Sequence, residues 1–443
     1  CINGAQKIGA GYTKKEAEKL FDLVFHLKCN FAGRGLWQLG TSTVDRFGGN
    51  SLLNCWFTAI KKPDDFCFIF ENLMLGGGVG YSIRREDIHE LPRIKRDVNI
   101  TVKNTNDADF IVPDSREGWV KLLSKVLHSY FLTGESFEYS TVLVRSAGKP
   151  INGFGGTASG PEILIEGINK ISGVIKEREG KKLRSIDVLD IANIIGSVVV
   201  AGNVRRSAEI ALGDPDDYLY IKAKRWDLGN IPNWRAMSNN TIYCDSYDHI
   251  AEGVWDGYGG NGEPYGFFNV GLSSKFGRTG EKAKENCEGT NPCGEISLAD
   301  KECCNLSELY LNNIESKQEL IECSKLLYKT QKAICALPFL HEDTNKIVHK
   351  NFRIGQGITG ICQGLHDKKL EWLDGCYQAL KAFDKEWSKK RGWPESIKLT
   401  TVKPSGTLSL LAGATPGVHP AYSEYYIRRV RMSSQDVLVE TCK

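Results

Sequence analysis

Methionine is scarce: three in 443 residues, at Met74, Met237 and Met432, and the chain begins on Cys1. An internal piece of a longer protein is the expectation. Charge of one sign is not in excess, since 57 Lys and Arg face 54 Asp and Glu for a net +3. A field that weak drives binding neither to nucleic acid nor to a membrane. No apolar run approaches the ~18 residues of a membrane span. The opening CINGAQKIGA lacks the apolar core of a signal peptide. None of the 14 cysteines are spaced C-x-x-C, which removes zinc ribbons and thioredoxin-type motifs. Repeats and low-complexity linkers are absent. Scattered buried thiols in a cytoplasmic protein are the plain expectation. With 41% apolar and 25% charged residues the composition is globular, which excludes disorder, collagen and coiled coil for the chain as a whole.

Helical and strand patterns alternate. Thr13 is placed to cap a helix over 14–29, with Ala17, Leu20, Phe21, Val24 and Leu27 on one face. Ser115 is placed to cap another over 116–132. Residues 140–145 read as a strand, 186–200 as a buried helix, 207–212 as a strand, and 316–337 as an amphipathic helix. Pro404 to Leu411 reads as a turn opening a short helix. Such alternation predicts an α/β architecture with a largely parallel sheet. Pattern alone leaves barrel and open sheet equally open.

Three stretches are rich in glycine and small hydroxyl residues. Gly76-Gly77-Gly78-Val79-Gly80 has the spacing of neither dinucleotide nor P-loop fingerprints, so a tight approach of backbone to backbone competes with nucleotide binding. Residues 153–161, GFGGTASGP, are ambiguous in the same way. Lys403-Pro404-Ser405-Gly406-Thr407 precedes an apolar helical run, where free N–H groups and hydroxyls suit a phosphate. Simple helix capping remains the alternative.

The most informative segment is Asn291-Pro292-Cys293-Gly294-Glu295, followed by Cys303-Cys304-Asn305-Leu306. Pro and Gly bracket Cys293 and break regular structure, which puts it on a loop tip. Asn291 and Glu295 lie two residues to either side and point the same way if the backbone is extended. A thiol, a carboxylate and an amide then converge on one small ligand. A cysteine in a tight turn beside a solvated glutamate is the bland alternative.

NPCGE with a Cys-Asn-Leu eleven residues after the first cysteine resembles the active-site finger loop of ribonucleotide reductases. The likeness is greatest to the adenosylcobalamin-dependent class, and within it to the monomeric ribonucleoside-triphosphate reductase group. Other segments agree in chain order: GRGLW (33–37) with Gly40-Thr41, NSLLNC (50–55), GGGVGYS (76–82), GFGGTASGP (153–161), AGNVRRSAEIALGDPDD (201–217), KPSGTLSLL (403–411) and GVHPAYSEYYIRRVR (417–431). Together they span residues 33 to 431.

This resemblance implies a ten-stranded α/β barrel of two five-stranded half-sheets with a central finger loop. Residues 1–443 are expected to be one catalytic barrel, incomplete at both ends, without an N-terminal segment and a C-terminal portion that helps hold the cobalamin and carries shuttle cysteines. The Cys55 to Cys293 interval looks short for the family, which leaves its allosteric insertion unassigned. The implied chemistry replaces a ribose 2′-OH by hydrogen through a thiyl radical. Cys293 matches the thiyl position, reachable by the initiator but shielded from bulk water. Glu295 matches the residue that takes and returns the 3′-OH proton. Asn291 matches the amide bonded to the substrate hydroxyl. Cys55 and Cys304 match the pair oxidised to a disulfide; on an extended segment only one of Cys303 and Cys304 faces the substrate. Pro404, Ser405, Gly406 and Thr407 match the substrate phosphate site, with Asn54, Gly78 and Gly80 lining the same cavity. Asn203, Arg205, Arg206 and Ser207 resemble the loop that relays effector identity, although two adjacent arginines can equally be a solvated pair.

Adenosylcobalamin is the implied cofactor, with no metal ligated by the protein. A ribonucleotide, a dNTP or ATP effector and a thioredoxin-type reductant are the implied partners; nucleic acid and membrane are not, and the chain is expected as monomer or dimer. Tyr425-Tyr426 invites comparison with the stacked tyrosines of the iron-dependent class, but the pair lies only 20 residues past Ser405. The alternatives kept open are an iron-dependent type of reductase, a truncated barrel that binds nucleotide without chemistry, and a structural metal site from Cys287, Cys293, Cys303 and Cys304.

Overall fold

The structure is a computed structural model that describes residues 1–151, 157–201, 208–275, 285–366, 369–427 and 441. Its strands are β1 (Cys29–Phe31), β2 (Cys55–Ala59), β3 (Gly78–Ser82), β4 (Ile100–Val102), β5 (Phe110–Ile111), β6 (Phe137–Ser140), β7 (Glu209–Gly213), β8 (Ser238–Cys244), β9 (Gly266–Asn269), β10 (Gly289–Thr290), β11 (Ser297–Leu298), β12 (Cys303–Tyr310), β13 (Ile354–Thr359) and β14 (Thr400–Thr401).

One large sheet runs in the order β14-β13-β12-β2-β3-β7-β8-β9, with β1 paired to the other end of β12. Strands β2, β3, β7, β8 and β9 are parallel to one another. Strands β12, β13 and β14 are also mutually parallel. The two sets meet antiparallel at β12 and β2. This is the expected α/β plan of two opposed halves, with five strands of the first and three of the second among the described residues.

Side-chain alternation sorts the two faces. Trp56, Cys303 and Leu309 pack outward into the core shared with the helices. Cys55, Phe57, Leu212, Cys304 and Leu306 pack inward, around Ile296 and Leu298 of the hairpin β10–β11. A period of two on each strand is what gives the sheet these two apolar faces. Helices Asp64–Met74, Ser185–Ala201 and Lys317–Cys335 cover the outer face. Phe66, Leu189 and Leu327 are each fully buried there, and such burial contributes about 1.5–3 kcal/mol per large apolar side chain.

The sequence signals for helix starts hold. Thr13 and Glu16 form a capping box on helix Lys14–Phe25. Ser115 and Ser316 cap helices Arg116–His128 and Lys317–Cys335 by accepting from the N–H of Gly118 and Glu319. The first of these ends short of 132, in a single wider turn, Ser129–Thr133. The strand expected over 140–145 is a correction: β6 stops at Ser140. Asn104 Oδ1 accepts from both the N–H and the hydroxyl of Thr141, and Val144 N–H turns back to the Thr141 carbonyl. Those bonds replace ladder partners, leaving Val142 and Leu143 exposed.

Candidate functional site

The hairpin β10–β11 enters the inner face of the sheet with Gly289 opposite Leu298 and Thr290 opposite Ser297. Its tip is the turn Asn291-Pro292-Cys293-Gly294, closed by a hydrogen bond from Gly294 N–H to the Asn291 carbonyl of 2.9 Å. Asn first, Pro second and Gly fourth are the residues such a turn favours. Gly294 takes a φ of +77° there, which a side chain would strain.

Close approach of backbone to backbone explains the glycines of β3. A Cβ built on Gly80 would stand 1.9 Å from the Thr290 carbonyl oxygen, and one on Gly78 would stand 2.9 Å from Pro292 Cγ. The hairpin lies on β3 only because those side chains are missing. Arg34 of the GRGLW motif supports the same region, donating to the carbonyls of Leu75 and Gly76. Burial without an acid partner pulls its guanidinium down to about 10.

Cys55 and Cys304 are direct cross-strand partners at the β2–β12 seam, a pairing that puts Cβ atoms about 4.5–5.5 Å apart. Gly355 on β13 leaves room for the Cys304 sulfur, which lies 3.2 Å from where its Cβ would be. Cys303 faces the opposite way, into the outer core. Cys303 and Cys304 therefore cannot join Cys287 and Cys293 around one metal ion. Burial pushes the thiols of Cys55 and Cys304 well up; Glu295 adds to this for Cys55, and the Cys55 thiol adds to it for Cys304.

Asn291 links the hairpin to the pair. Its Nδ2 donates to Cys55 Sγ at 3.3 Å and to Glu295 Oε2 at 2.7 Å. Its Oδ1 accepts from Ile296 N–H at 3.1 Å, so the amide is held at both ends. Thr401 Oγ1 of β14 donates to the Glu295 carbonyl at 2.7 Å, tying the hairpin to the second half-sheet. Burial raises the Glu295 carboxyl above its usual range, against the opposing pull of the Asn291 hydrogen bond. Partial burial, then Glu295, pushes the Cys293 thiol up to about 11.

Cys293 itself is exposed, whereas a shielded sulfur was expected. Asn291 and Pro292 are buried but the turn carries the next two residues outward, and nothing lies within 4 Å of a Cβ built on Gly294. The strands β9 and β14 end the described sheet, and no described strand covers the tip.

Around this centre, Asn54 Oδ1 and Ser405 Oγ are buried without a hydrogen-bond partner among the described residues. Pro404 is half-buried, while Gly406 and Thr407 are exposed at the start of helix Leu408–Leu411. Asn203, Arg205, Arg206 and Ser207 lie outside the described residues. Tyr425 and Tyr426 are both exposed. Sequence reasoning missed Lys403 and Glu308, whose ion pair of 2.8 Å stands beside the hairpin; the one signal was the position of Lys403 within the KPSGT motif. It also missed a buried cluster at the hairpin's base. There Arg353 bonds Glu285 and, at 3.0 Å, Glu302, and Ser297 Oγ donates to Glu285 Oε1 at 3.3 Å.

A cavity of about 360 Å³, within the range of nucleotide-sized sites, opens between residues 114–119, 144–145, 151 and 157–160 and helices Ser42–Phe47, Asp64–Met74 and Ser185–Ala201, with no hairpin residue in its lining. Arg46, Phe47, Arg116 and Arg145 line it, and both Arg46 and Arg116 stack on the Phe47 ring.

Comparison with known proteins agrees with this geometry. A crystal structure of a B12-dependent (class II) ribonucleotide reductase superposes with a TM-score of 0.84 at 31% identity, covering 94% of this chain and 70% of that one. The Actinobacillus ureae class Id ribonucleotide reductase alpha subunit shares the fold alone, with a TM-score of 0.57 at 12% identity over 96% of this chain and 71% of that one. The fold is thus that of the ribonucleotide reductases. The adenosylcobalamin-dependent ribonucleoside-triphosphate reductases of Lactobacillus delbrueckii subsp. bulgaricus and Lactobacillus leichmannii are 37% and 36% identical, each match covering 97% of this chain and 69% of the relative. Residues 87–175 match the family model of the B12-dependent ribonucleotide reductase insertion domain. The chain belongs to the adenosylcobalamin-dependent ribonucleotide reductase family. The insertion left unassigned from sequence is the segment with the small sheet β4-β6-β5 and helices Arg116–His128 and Glu162–Lys176. Its short strands interrupt the barrel pattern without a linker to announce them.

Proposed function

We propose that this chain reduces ribonucleoside triphosphates to 2′-deoxyribonucleotides by thiyl-radical chemistry, with adenosylcobalamin as the radical source. The observation that carries this is the three-way meeting of hairpin and seam: Asn291 holds Glu295 with one N–H and Cys55 with the other, while Cys304 faces Cys55 across the ladder. One proton acceptor, one thiol within reach of the initiator and one facing pair of thiols are what the reaction requires.

The tip fits the cofactor at one point: the open surface over Cys293 and Gly294 admits a large group from outside. Bound adenosylcobalamin supplies homolysis of a weak bond, which removes one electron and one proton from a thiol. The chain's own residues do the rest. Cys293 as thiyl takes the 3′-hydrogen atom of the ribose. Glu295 takes the 3′-OH proton, and its raised pKa matches it to giving that proton back. The 2′-OH leaves as water with a proton from the Cys55–Cys304 pair. The pair's second hydrogen goes to C2′ as its two electrons reduce the sugar and the two thiols close to a disulfide, and Cys293 returns the hydrogen to C3′. The Asn291 amide keeps the carboxylate and Cys55 in register before substrate arrives. The unpartnered Ser405 Oγ and Asn54 Oδ1, with Pro404, Gly406 and Thr407, suit the substrate phosphates and sugar. Gly78 and Gly80 serve by letting the hairpin descend onto β3.

The cavity lined by Arg46, Arg116 and Arg145, partly within the insertion segment, supports binding of a dNTP or ATP effector whose phosphates take the place of Glu117, Glu71 and Asp114 on those guanidinium groups. A thioredoxin-type dithiol is the reductant that reopens the disulfide. No described helix is long and apolar enough to cross a membrane, and a cytoplasmic setting suits a chemistry that needs reduced thiols. An iron-dependent type of reductase is less supported, given the family. Retention of Cys55, Asn291, Cys293, Glu295 and Cys304 speaks against a barrel that only binds nucleotide.

The deciding experiment is Cys293→Ser in the full-length enzyme, assayed with adenosylcobalamin and with ribonucleoside di- and triphosphates separately. Deoxynucleotide formation is expected to vanish while nucleotide binding persists; normal turnover would overturn the assignment.

A further inference from the structure

Lys403 has no part in the steps above, yet it is built into the centre. It lies two residues past the end of β14 and immediately precedes Pro404. Its Nζ lies 2.8 Å from Glu308 Oε2. Glu308 is fully buried on β12, and its other carboxylate oxygen accepts from Thr359 Oγ1 on β13. The lysine stem reaches the carboxylate by crossing Gly357, where a Cβ would stand 2.9 Å from Lys403 Cβ. A glycine on β13 is therefore the condition for that path. As a stabilising device the pair is poor, because desolvating both charges offsets most of their attraction and apolar side chains of the same volume would do as well. Its position is the better explanation. Two residues before Lys403, Thr401 holds the Glu295 carbonyl, so the ammonium is fixed relative to the hairpin.

Among the described residues, the charged and titratable groups around the tip are few. Glu295 is faced by Lys403 and Glu308, with opposite effects. Cys293 is faced by Glu295 and Lys403, again opposed. Below them lie the thiols of Cys55, which also feels Lys403, and Cys304. Lys403 is the one cation common to Cys293, Cys55 and Glu295 among these influences.

We propose that Lys403 is a positioning residue of the reaction: its ammonium, delivered across Gly357 and held by Glu308, is the charge against which Cys293 and Glu295 gain and lose protons. This rests on Cys293 and Glu295 being the reacting thiol and proton acceptor. The carboxylate is stabilised by the cation and slightly opposed by Glu308, so the pair sets how readily Glu295 accepts the 3′-OH proton.

The test needs neither cofactor nor turnover. Cys293 is exposed, so its alkylation by iodoacetamide can be followed by peptide mass mapping across pH. Only the thiolate reacts, and at about pH 8, below the thiol's midpoint, the rate follows the thiolate fraction. Lys403→Met is expected to slow alkylation about 3-fold, the effect of half a pH unit in titration. Glu308→Gln is expected to speed it by a similar factor, because the ammonium loses the anion that offsets it. Lys403→Arg keeps the charge and should stay near the parent rate. Loss of packing alone would open the tip and speed alkylation in both neutral variants. Lys403→Met and Glu308→Gln moving the rate in the same direction, or neither moving it beyond assay error, would overturn the proposal. If Cys293→Ser abolishes reduction while Lys403→Met leaves alkylation unchanged, the lysine role falls and the site reading stands.

Discussion

Gly80→Ala tests how tightly the finger hairpin is fitted to the sheet. The added Cβ would lie 1.9 Å from the Thr290 carbonyl oxygen and 3.1 Å from Ile210 Cγ2, where ordinary contact starts near 3.4 Å. Hairpin or strand must therefore yield by about 1.5 Å, far beyond the play of a packed interior. The hairpin has nowhere to retreat within its own stalk, because a Cβ on Gly289 would already meet the Phe57 ring. Overpacking of this kind costs about 1–3 kcal/mol of stability. The larger effect is on the centre, since the Asn291–Cys55 contact of 3.3 Å cannot survive a displacement of that size. Misplacement of reacting groups by about 1 Å can cost on the order of 100-fold in rate. Gly78→Ala is the graded comparison, with its nearest atoms at 2.9 Å and 3.3 Å, so it needs only about 0.5 Å of give. Gly33, with nothing within 4 Å of its Cβ position, is the neutral control. Urea unfolding gives the stability term. Deoxynucleotide formation per folded full-length enzyme gives the positioning term. The expected order of activity is Gly33→Ala, then Gly78→Ala, then Gly80→Ala far below. A Gly80→Ala enzyme within about 2-fold of the parent, once unfolded material is discounted, would refute the claim that β3 glycines set the depth of the hairpin.

Two further outcomes follow from the same geometry. Cys55→Ser and Cys304→Ser should each stop steady-state turnover with a dithiol reductant, and the parent enzyme exhausted of reductant should yield a Cys55–Cys304 disulfide on peptide mapping; a disulfide involving Cys303 instead would reverse the facing of β12. Arg353→Met should lower unfolding free energy by about 3–5 kcal/mol in urea, because buried Glu302 loses its cation and buried Glu285 keeps only Lys398, at 3.5 Å; a loss below about 1 kcal/mol would mean that water reaches this cluster.

Much of the centre was written in local sequence. Asn-Pro-Cys-Gly specifies its own turn, and the residues that make it, Pro292 and Gly294, are neighbours in the chain. Helix starts at Thr13 and Ser115 were equally local, since a cap needs only a hydroxyl and an N–H three residues on. The choice of Cys304 over Cys303 needed only the two-residue alternation of a strand, plus a resemblance to say which face mattered. The strand expected over 140–145 failed for the complementary reason. Its β-branched residues suit a strand, but Asn104, far away in sequence, captured Thr141 first.

What sequence could not decide was every contact whose partner lies on another strand. The glycines of β3 suggested a close backbone approach from their spacing, but only the structure shows that Thr290 and Pro292 are what lies against them. Lys403 looked like a flank of the phosphate motif until Glu308, 95 residues earlier in the chain, was found at its amine. The exposure of Cys293 could not be read locally either, because a turn fixes the shape of a tip and not what packs over it. Local sequence set which groups are offered; the sheet's register and its close backbone approaches set which of them meet.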